Sequence, residues 1–289
     1  MIYKIITKSF FLTILSFMYS YSGYNGLLLP SSTNDLLTMN SDYRYSKQIL
    51  LDSSYNFDIA SSFLLFPHEI NIGNFQCNYK IQDYQISSSI SLIQYGDFID
   101  SESQYSFSSS DYILKHTIYK KLNKYIHSSI NFNYISSQID NYTSTAITTK
   151  FNIYYHYQRL LIESFASNYG TILNPYTSFV ENLPISHGIS IYYLPKYIKS
   201  IISITYNIFD DYNTFNLKNE LLMFNNFSII LGYHSIAHNL YSGDFNNDFL
   251  IGMSAGGSFK YQDYMIDMGI KNIGPMGIIS SCTISKSIN

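Results

Sequence analysis

The side chains of this sequence that could do chemistry are few and scattered. His234 and His238 stand four residues apart, the spacing that puts two zinc ligands on one helix face. The residues leading to His234 do not read as a helix, however. Phe227, Ile229, Leu231 and Tyr233 alternate with Ser228, Gly232 and His234, which is a strand pattern, and no Glu follows His234. Asp244, Asn246 and Asp248 match the first three ligand positions of a calcium loop. Phe249 stands where that loop needs Gly, and position 255 is Ala instead of Glu, so a solvated loop is the plainer reading. Asp97, Asp100 and Glu102 form an acidic run whose default reading is a solvated rim. The sequence has no Gly-x-Ser-x-Gly elbow, no glycine-rich phosphate loop and no paired carboxylates on a rigid element. These observations lead us to expect a protein that is not an enzyme and uses no cofactor and no metal.

Composition narrows the partners. The formal net charge of −3 over 289 residues leaves no basic stripe to neutralise phosphates, which argues against nucleic acid. There are 30 Tyr and 20 Phe but no Trp, and only 13% of residues are charged. Tyr suits strands and membrane interfaces, where one end of the ring is wet. AT-rich codons would raise the Tyr and Phe counts in any fold, but codon bias cannot place those residues at alternate positions.

Such alternation recurs from about residue 75 onward. In "SINFNY" (129–134), Ser129, Asn131 and Asn133 alternate with Ile130, Phe132 and Tyr134. Residues 86–95, 151–157, 202–208, 227–234 and 264–270 repeat the pattern. Successive side chains of a strand point to opposite faces, so each run is oily on one side and polar on the other. The polar sides carry Ser, Thr, Asn and Gly with few charges, unlike the Lys- and Glu-rich outside of a soluble β-sandwich. They resemble the lumen of an outer-membrane barrel, with the oily side toward lipid. Turn signals at 81–84, 121–124, 139–142, 195–199, 223–227 and 260–264 separate roughly 12–14 strand candidates.

The expected organisation has three parts. Residues 1–22 read as a signal peptide: Lys4 and Lys8 precede the apolar run Phe10 to Met18, which is too short to span a bilayer, and Ser20 and Ser22 sit at cleavage spacing. A buried N-terminal strand is the alternative. Residues 23–70 read as a hatch or plug, with a short capped helix starting near Ser32 or Thr33 and an apolar pair at Leu36 and Leu37. A disordered linker is the alternative there. Residues 71–289 read as an all-β, transmembrane antiparallel barrel. Cys77 and Cys282 lie at opposite ends of the barrel region, so barrel closure could bring them together, although two unrelated small fillers is the simpler account.

Several motifs in order resemble the PorV/PorQ family of the type IX secretion system, PorQ-like members in particular, a family related to the FadL fatty-acid transporters. Leu27, Leu29, Pro30 and Ser31 resemble its early "LxLP" segment, and Tyr95, Gly96 and Phe98 its "YGxF". Phe107, Ser108, Ser110, Asp111 and Tyr112 resemble "FSASDY", with Lys121 and Leu122 as the basic-Leu turn that follows. Gly170, Thr171, Leu173, Pro175 and Tyr176 resemble "GTxLxPY", and Leu183 and Pro184 a following "LP". Ser109 stands for the usual Ala, Tyr105 stands where Gly is common, and the chain ends "SKSIN" without a terminal aromatic. The resemblance implies a barrel of about 14 strands with a short N-terminal hatch in the cell outer membrane. It implies a non-enzymatic role, anchoring or shuttling a surface partner of the attachment complex, a sortase or its anchored protein. Partners would be outer-membrane lipid and those complex proteins. In that role Tyr105 and Phe107, with Tyr241 and Asp244, are the candidate partner-binding residues, because Tyr-rich loops on a rigid scaffold suit recognition. The alternative is a FadL-like outer-membrane channel for hydrophobic small molecules such as fatty acids. An apolar pocket with a hatch-side path would favour the channel, and a shaped extracellular rim the anchor.

Overall fold

The structure, a computed structural model, describes residues 24–53, 56–99, 105–177, 182–210, 212–224, 226–235, 248 and 250–288. The signal-peptide reading of residues 1–22 and the candidate residues Tyr241 and Asp244 lie outside the described residues, as does His238.

Fourteen strands close into one antiparallel barrel in which every strand pairs with its neighbours in sequence and β1 pairs with β14. They are β1 (Phe57–Leu65), β2 (Asn71–Ile81), β3 (Tyr84–Ile99), β4 (Ser106–Lys121), β5 (Ile126–Ile139), β6 (Tyr142–Tyr157) and β7 (Leu160–Asn174). The circle continues through β8 (Ser186–Tyr193), β9 (Ser200–Phe209), β10 (Asn213–Phe224), β11 (Phe227–His234), β12 (Met253–Tyr261), β13 (Tyr264–Asn272) and β14 (Ile278–Ile288). Closure pairs the backbone of every strand on both sides, which is what a hydrocarbon environment demands.

The alternation reads directly onto this wall. In β5, Phe132 is 44% exposed on the outside, while its neighbour Asn131 is 8% exposed inside. Asn131 donates to Thr117 Oγ1 across the lumen face at 2.6 Å, and Asn133 to Thr148 Oγ1 at 3.0 Å. The outer wall carries Ile, Leu, Phe, Met and Tyr from every strand, as a lipid-facing surface requires. No helix among the described residues is long and apolar enough to cross a membrane, so any crossing is made by the strands.

The barrel begins at Phe57, not at residue 71, which corrects the boundary of the expected hatch. The strand was hidden because its inward side is not uniformly polar: Ala60 and Leu64 point inward beside Asp58 and Ser62, so "FLL" shows no alternation. The two cysteines are free. Cys77 lies opposite Ile59 and Cys282 opposite Phe63, so β1 runs between them and barrel closure does not join them.

Both ends of the barrel chain, at Phe57 and Ile288, lie on one rim, which also carries the two-residue turns 82–83, 158–159 and 262–263. Strands β1, β3, β7 and β11 end on the other, at Leu65, Ile99, Asn174 and His234, and each is followed in sequence by a longer connection. Short turns face the periplasm and long loops the exterior in such barrels, and we name the rims accordingly.

Candidate functional site

The lumen is occupied by the chain's own N-terminal segment. It consists of a 3-10 turn at Asn25–Leu28 and two helices, α1 (Thr33–Thr38) and α2 (Tyr43–Leu50). It starts near the extracellular end, where Tyr24 OH meets Ser144 Oγ at 2.5 Å, and descends to enter β1 at the periplasmic rim.

Helix α1 starts at Ser32, whose hydroxyl accepts from Asp35 N at 3.2 Å, and ends at Met39 in the left-handed conformation. Three wall glycines make room for it. A Cβ on Gly256 or Gly269 would meet the Leu37 side chain at 2.5 Å and 3.0 Å, and one on Gly232 would meet Leu37 O at 2.9 Å. Because these positions lie on adjacent strands β11, β12 and β13, they form a trough for one helix. Thr33 N donates to Thr283 Oγ1 at 3.0 Å, and Asn34 Nδ2 to Asp267 Oδ2 at 3.1 Å, pinning α1 against β13 and β14.

Above α1 one side of the lumen is apolar, while the other side, from β8 to β13, carries Asn207, Thr214, Asn216, His234, Ser254 and Lys271. Leu64, Ile72, Ile93, Ile113, Ile135, Ala146 and Ile279, from β1 to β6 and β14, converge on Tyr24 and Leu36 of the hatch. Leu27, Leu29, Phe66, Ile70, Tyr95, Ile172, Leu183 and Ile273 are partly buried around this cluster. One polar knot interrupts it: the Asp111 carboxylate accepts from Tyr95 OH at 2.8 Å and from Ser137 Oγ, which in turn accepts from Tyr176 OH at 2.5 Å. Barrel lumens are ordinarily polar, so this lining is the feature that calls for a function.

Below α1 the contacts are ionic and aromatic. Asp42 pairs with Lys150 at 2.5 Å and accepts from Tyr119 OH at 2.8 Å and Asn152 Nδ2 at 3.1 Å. Burial alone would raise the Asp42 carboxyl, but Lys150 and those hydrogen bonds outweigh it and hold its pKa below the usual 3.8. Arg44 pairs with Asp58 at 2.6 Å. Lys47 and Lys218 share Glu220, at 2.5 Å and 3.4 Å, and Glu220 also accepts from Tyr43 OH at 2.5 Å. Asn40 donates to Glu163 Oε2 at 3.0 Å, beside donations to the same oxygen from Ser46 and Tyr192. Tyr45 stacks on Tyr119 with centroids 3.9 Å apart and meets Tyr154 edge-on at 5.4 Å. Ile49 and Leu50 complete this second cluster with Leu161 and Ile201. Between hatch and wall a polar cavity of about 40 Å³, edged by Arg44, Asn78, Asp267 and Thr283, holds room for little more than a water.

The partner-binding candidates sit elsewhere. Tyr105 is exposed at the extracellular rim and donates to Asp140 Oδ1 at 3.0 Å, and Phe107 stacks on Phe98 at 5.4 Å. His234 points into the lumen, with Lys271 Nζ 3.3 Å from its Nδ1. Among the described residues no three His, Cys, Asp or Glu side chains gather as metal ligands would. The hatch anchors Asn40, Asp42 and Lys47 and their wall partners Lys150, Glu163 and Glu220 escaped the sequence reading. Isolated charges in strands otherwise filled with Ser, Thr and Asn were the available signal.

No family model matches the chain, and no curated protein matches it. Solved structures do. The toluene transporter TbuX of Ralstonia pickettii superposes with a TM-score of 0.53 at 8% identity, over 81% of this chain and 89% of that one. The toluene transporter TodX of Pseudomonas putida gives 0.52 at 8% identity over 92% of each chain. A TodX mutant described as a monoaromatic hydrocarbon channel gives 0.54 at 8% identity over 80% and 89%. The chain has the fold of an outer-membrane β-barrel. Identity this low carries the fold and no more. The coarser content of the sequence resemblance, an outer-membrane barrel related to transporters, agrees with these likenesses, whereas the PorV/PorQ identity finds no counterpart among them.

Proposed function

We propose that the protein is an outer-membrane channel for hydrophobic small molecules, gated by its hatch. The observation that supports this reading is the apolar side of the extracellular lumen, formed by six consecutive strands plus β14 around Tyr24 and Leu36. Pockets for small molecules are mostly apolar with a few placed polar groups, and the Asp111 knot supplies such groups here. Leu27 and Leu29 take the place an apolar solute would take, so solute entry means displacing that segment while the ionic half holds the hatch below. The likeness to toluene transporters fits this reading, and no step in it makes or breaks a covalent bond.

Purified barrel should bind a long-chain fatty acid or toluene saturably. Cells lacking the gene should take up the same solute more slowly than complemented cells. The motif resemblance supports a second reading, a PorQ-like anchor of a surface partner, with exposed Tyr105 at the rim. If solute binding is absent, uptake is unchanged, and gene deletion instead releases surface proteins into the medium, the anchor reading replaces the channel.

A further inference from the structure

The cations of this barrel are sorted by place. Of the described Lys and Arg residues, Arg44, Lys47, Lys115, Lys150, Lys218 and Lys271 belong to the hatch or the inward faces. All nine others lie at the periplasmic rim. Lys80, Lys120, Lys121 and Lys124 flank the β2–β3 and β4–β5 turns. Arg159, Lys196, Lys199, Lys260 and Lys286 continue the ring through β6–β7, β8–β9, β12–β13 and the end of β14. Among the described residues Asp52, Asp83 and Asp263 oppose them at that level, while Asp58 points inward and is taken by Arg44. The extracellular connections 66–70, 100–105, 140–141, 175–185, 210–212, 235–252 and 273–277 contain no Lys or Arg and several Asp and Glu.

Tyrosines fix the depth of this ring. Tyr84, Tyr125, Tyr157, Tyr193, Tyr197, Tyr261 and Tyr264 are exposed at the same level, where an amphipathic ring marks the boundary between hydrocarbon and headgroups. Four of the lysines lie over them: Lys120 is 5.0 Å from the Tyr84 ring centre, Lys286 5.1 Å from Tyr264, Lys196 5.5 Å from Tyr197 and Lys124 5.6 Å from Tyr125. The ammonium groups are thereby held at headgroup depth, around the circumference and not on one side.

We propose that this girdle binds anionic phospholipid headgroups of the periplasmic leaflet and fixes the depth and orientation of the barrel in the membrane. A ring that encircles the wall suits a lipid annulus, because a protein partner would call for a cluster on one side. Compact ammonium groups at this depth meet phosphates as point charges, and each contributes attraction that falls off within a Debye length.

The test uses full-length protein reconstituted in phosphatidylcholine vesicles containing spin-labelled phosphatidylglycerol or spin-labelled phosphatidylcholine. Electron spin resonance should show the anionic probe immobilised at the barrel severalfold more than the neutral one, with the preference shrinking in high salt. Combining Lys120→Gln, Lys124→Gln, Lys196→Gln and Lys260→Gln should remove most of the preference, whereas the same four changes to Arg should keep it. Heat-modifiable gel mobility shows that each variant is folded. Equal immobilisation of both probes by the native barrel, or a preference unaltered in the Gln variant, overturns the proposal. So does loss of a bound acidic protein in the Gln variant with no lipid selectivity in either form. Epitope tags at 178–181 and 196–199 test the leaflet: in intact cells only the first should be reached by antibody. Access to the second would put the girdle in the outer leaflet and overturn the assignment.

Discussion

In the extracellular half of the lumen, Tyr24 and Leu36 of the hatch rest on Leu64, Ile93, Ile113 and Ile135. In the periplasmic half, Asp42, Arg44 and Lys47 of the same segment meet Lys150, Asp58 and Glu220. The two sets of contacts respond differently to disturbance. Apolar packing is non-directional, so another oily group of similar size can replace one that leaves. A buried ion pair has one partner and one geometry, and separating it strands a charge. The upper half is thus suited to exchange and the lower half to holding register. A hatch that must stay attached while admitting a solute needs both.

The sharpest way to break this comparison is to remove a charge from the lower half. Glu220→Gln leaves Lys47 and Lys218 facing each other without their shared carboxylate. We expect docking of α2 to weaken by about 3–5 kcal/mol while the barrel itself remains heat-modifiable. Hydrogen exchange over residues 43–50 should accelerate, and single-channel recordings should show openings that the native barrel lacks. Unchanged exchange and a closed pore would mean that the ionic half is not the lock.

The outer wall supplies the converse case, a surface where no charge is tolerated. Phe132→Arg should cost about 2–4 kcal/mol of barrel stability if Phe132 lies near the bilayer midplane, measured by reversible folding into vesicles. Its exposure of 44% is exposure to lipid, unlike that of the lysines at the rim. In the upper half of the lumen, Leu36→Ala should cost about 2 kcal/mol, the lower end for such truncations, because the segment above it can settle into the gap. The readout is exchange at residues 33–38, with residues 43–50 unaffected if the halves are independent.

Acid probes the carboxylates that dock the hatch, the Asp42–Lys150 pair among them. A carboxyl whose pKa is lower folded than unfolded contributes stability that is complete above the unfolded value and disappears as pH falls through the folded one. With Asp42 held below 3.8, its share of hatch docking should persist at pH 5 and fade only on the acid side of 3.8. Conductance against pH in the native barrel and in Lys150→Gln tests this, and identical profiles below pH 5 would contradict the assignment of Lys150 as its partner.

The barrel was legible in the sequence wherever one face of a strand is polar. In β5, β6 and β9 the inward Ser, Asn and Thr residues alternate with outward Ile, Phe and Tyr, and the pattern alone suffices. It failed at β1, where Leu64 faces the apolar side of the lumen and both sides of the strand are oily. The same physics hid the site. An apolar lumen erases the alternation that reveals a lumen, and ion pairs such as Lys150 with Asp42 join residues 108 apart, which no local pattern connects. The helix around Leu36 and Leu37 was visible because its start is encoded locally by Ser32.

That local encoding yields the smallest expected effect and the finest test of the comparison. The Ser32 hydroxyl satisfies Asp35 N, an amide that the first turn of α1 leaves without a helical partner. Asp35 also accepts from Ser31 N at 2.8 Å, so the start of the helix is stitched twice. Ser32→Ala removes one stitch and should cost about 1 kcal/mol, whereas Ser32→Gly should cost only a few tenths, since glycine is tolerated at a helix cap. Because α1 stands between the two halves, the place where the loss appears is informative. If the halves are held separately, exchange rises in residues 33–38 and solute affinity changes modestly, while residues 43–50 and the closed conductance stay as they were. If exchange rises equally in both helices, the hatch moves as one body. The apolar and ionic halves would then be parts of a single cooperative plug, and solute entry would have to unlock Glu220 as well as displace Leu27 and Leu29.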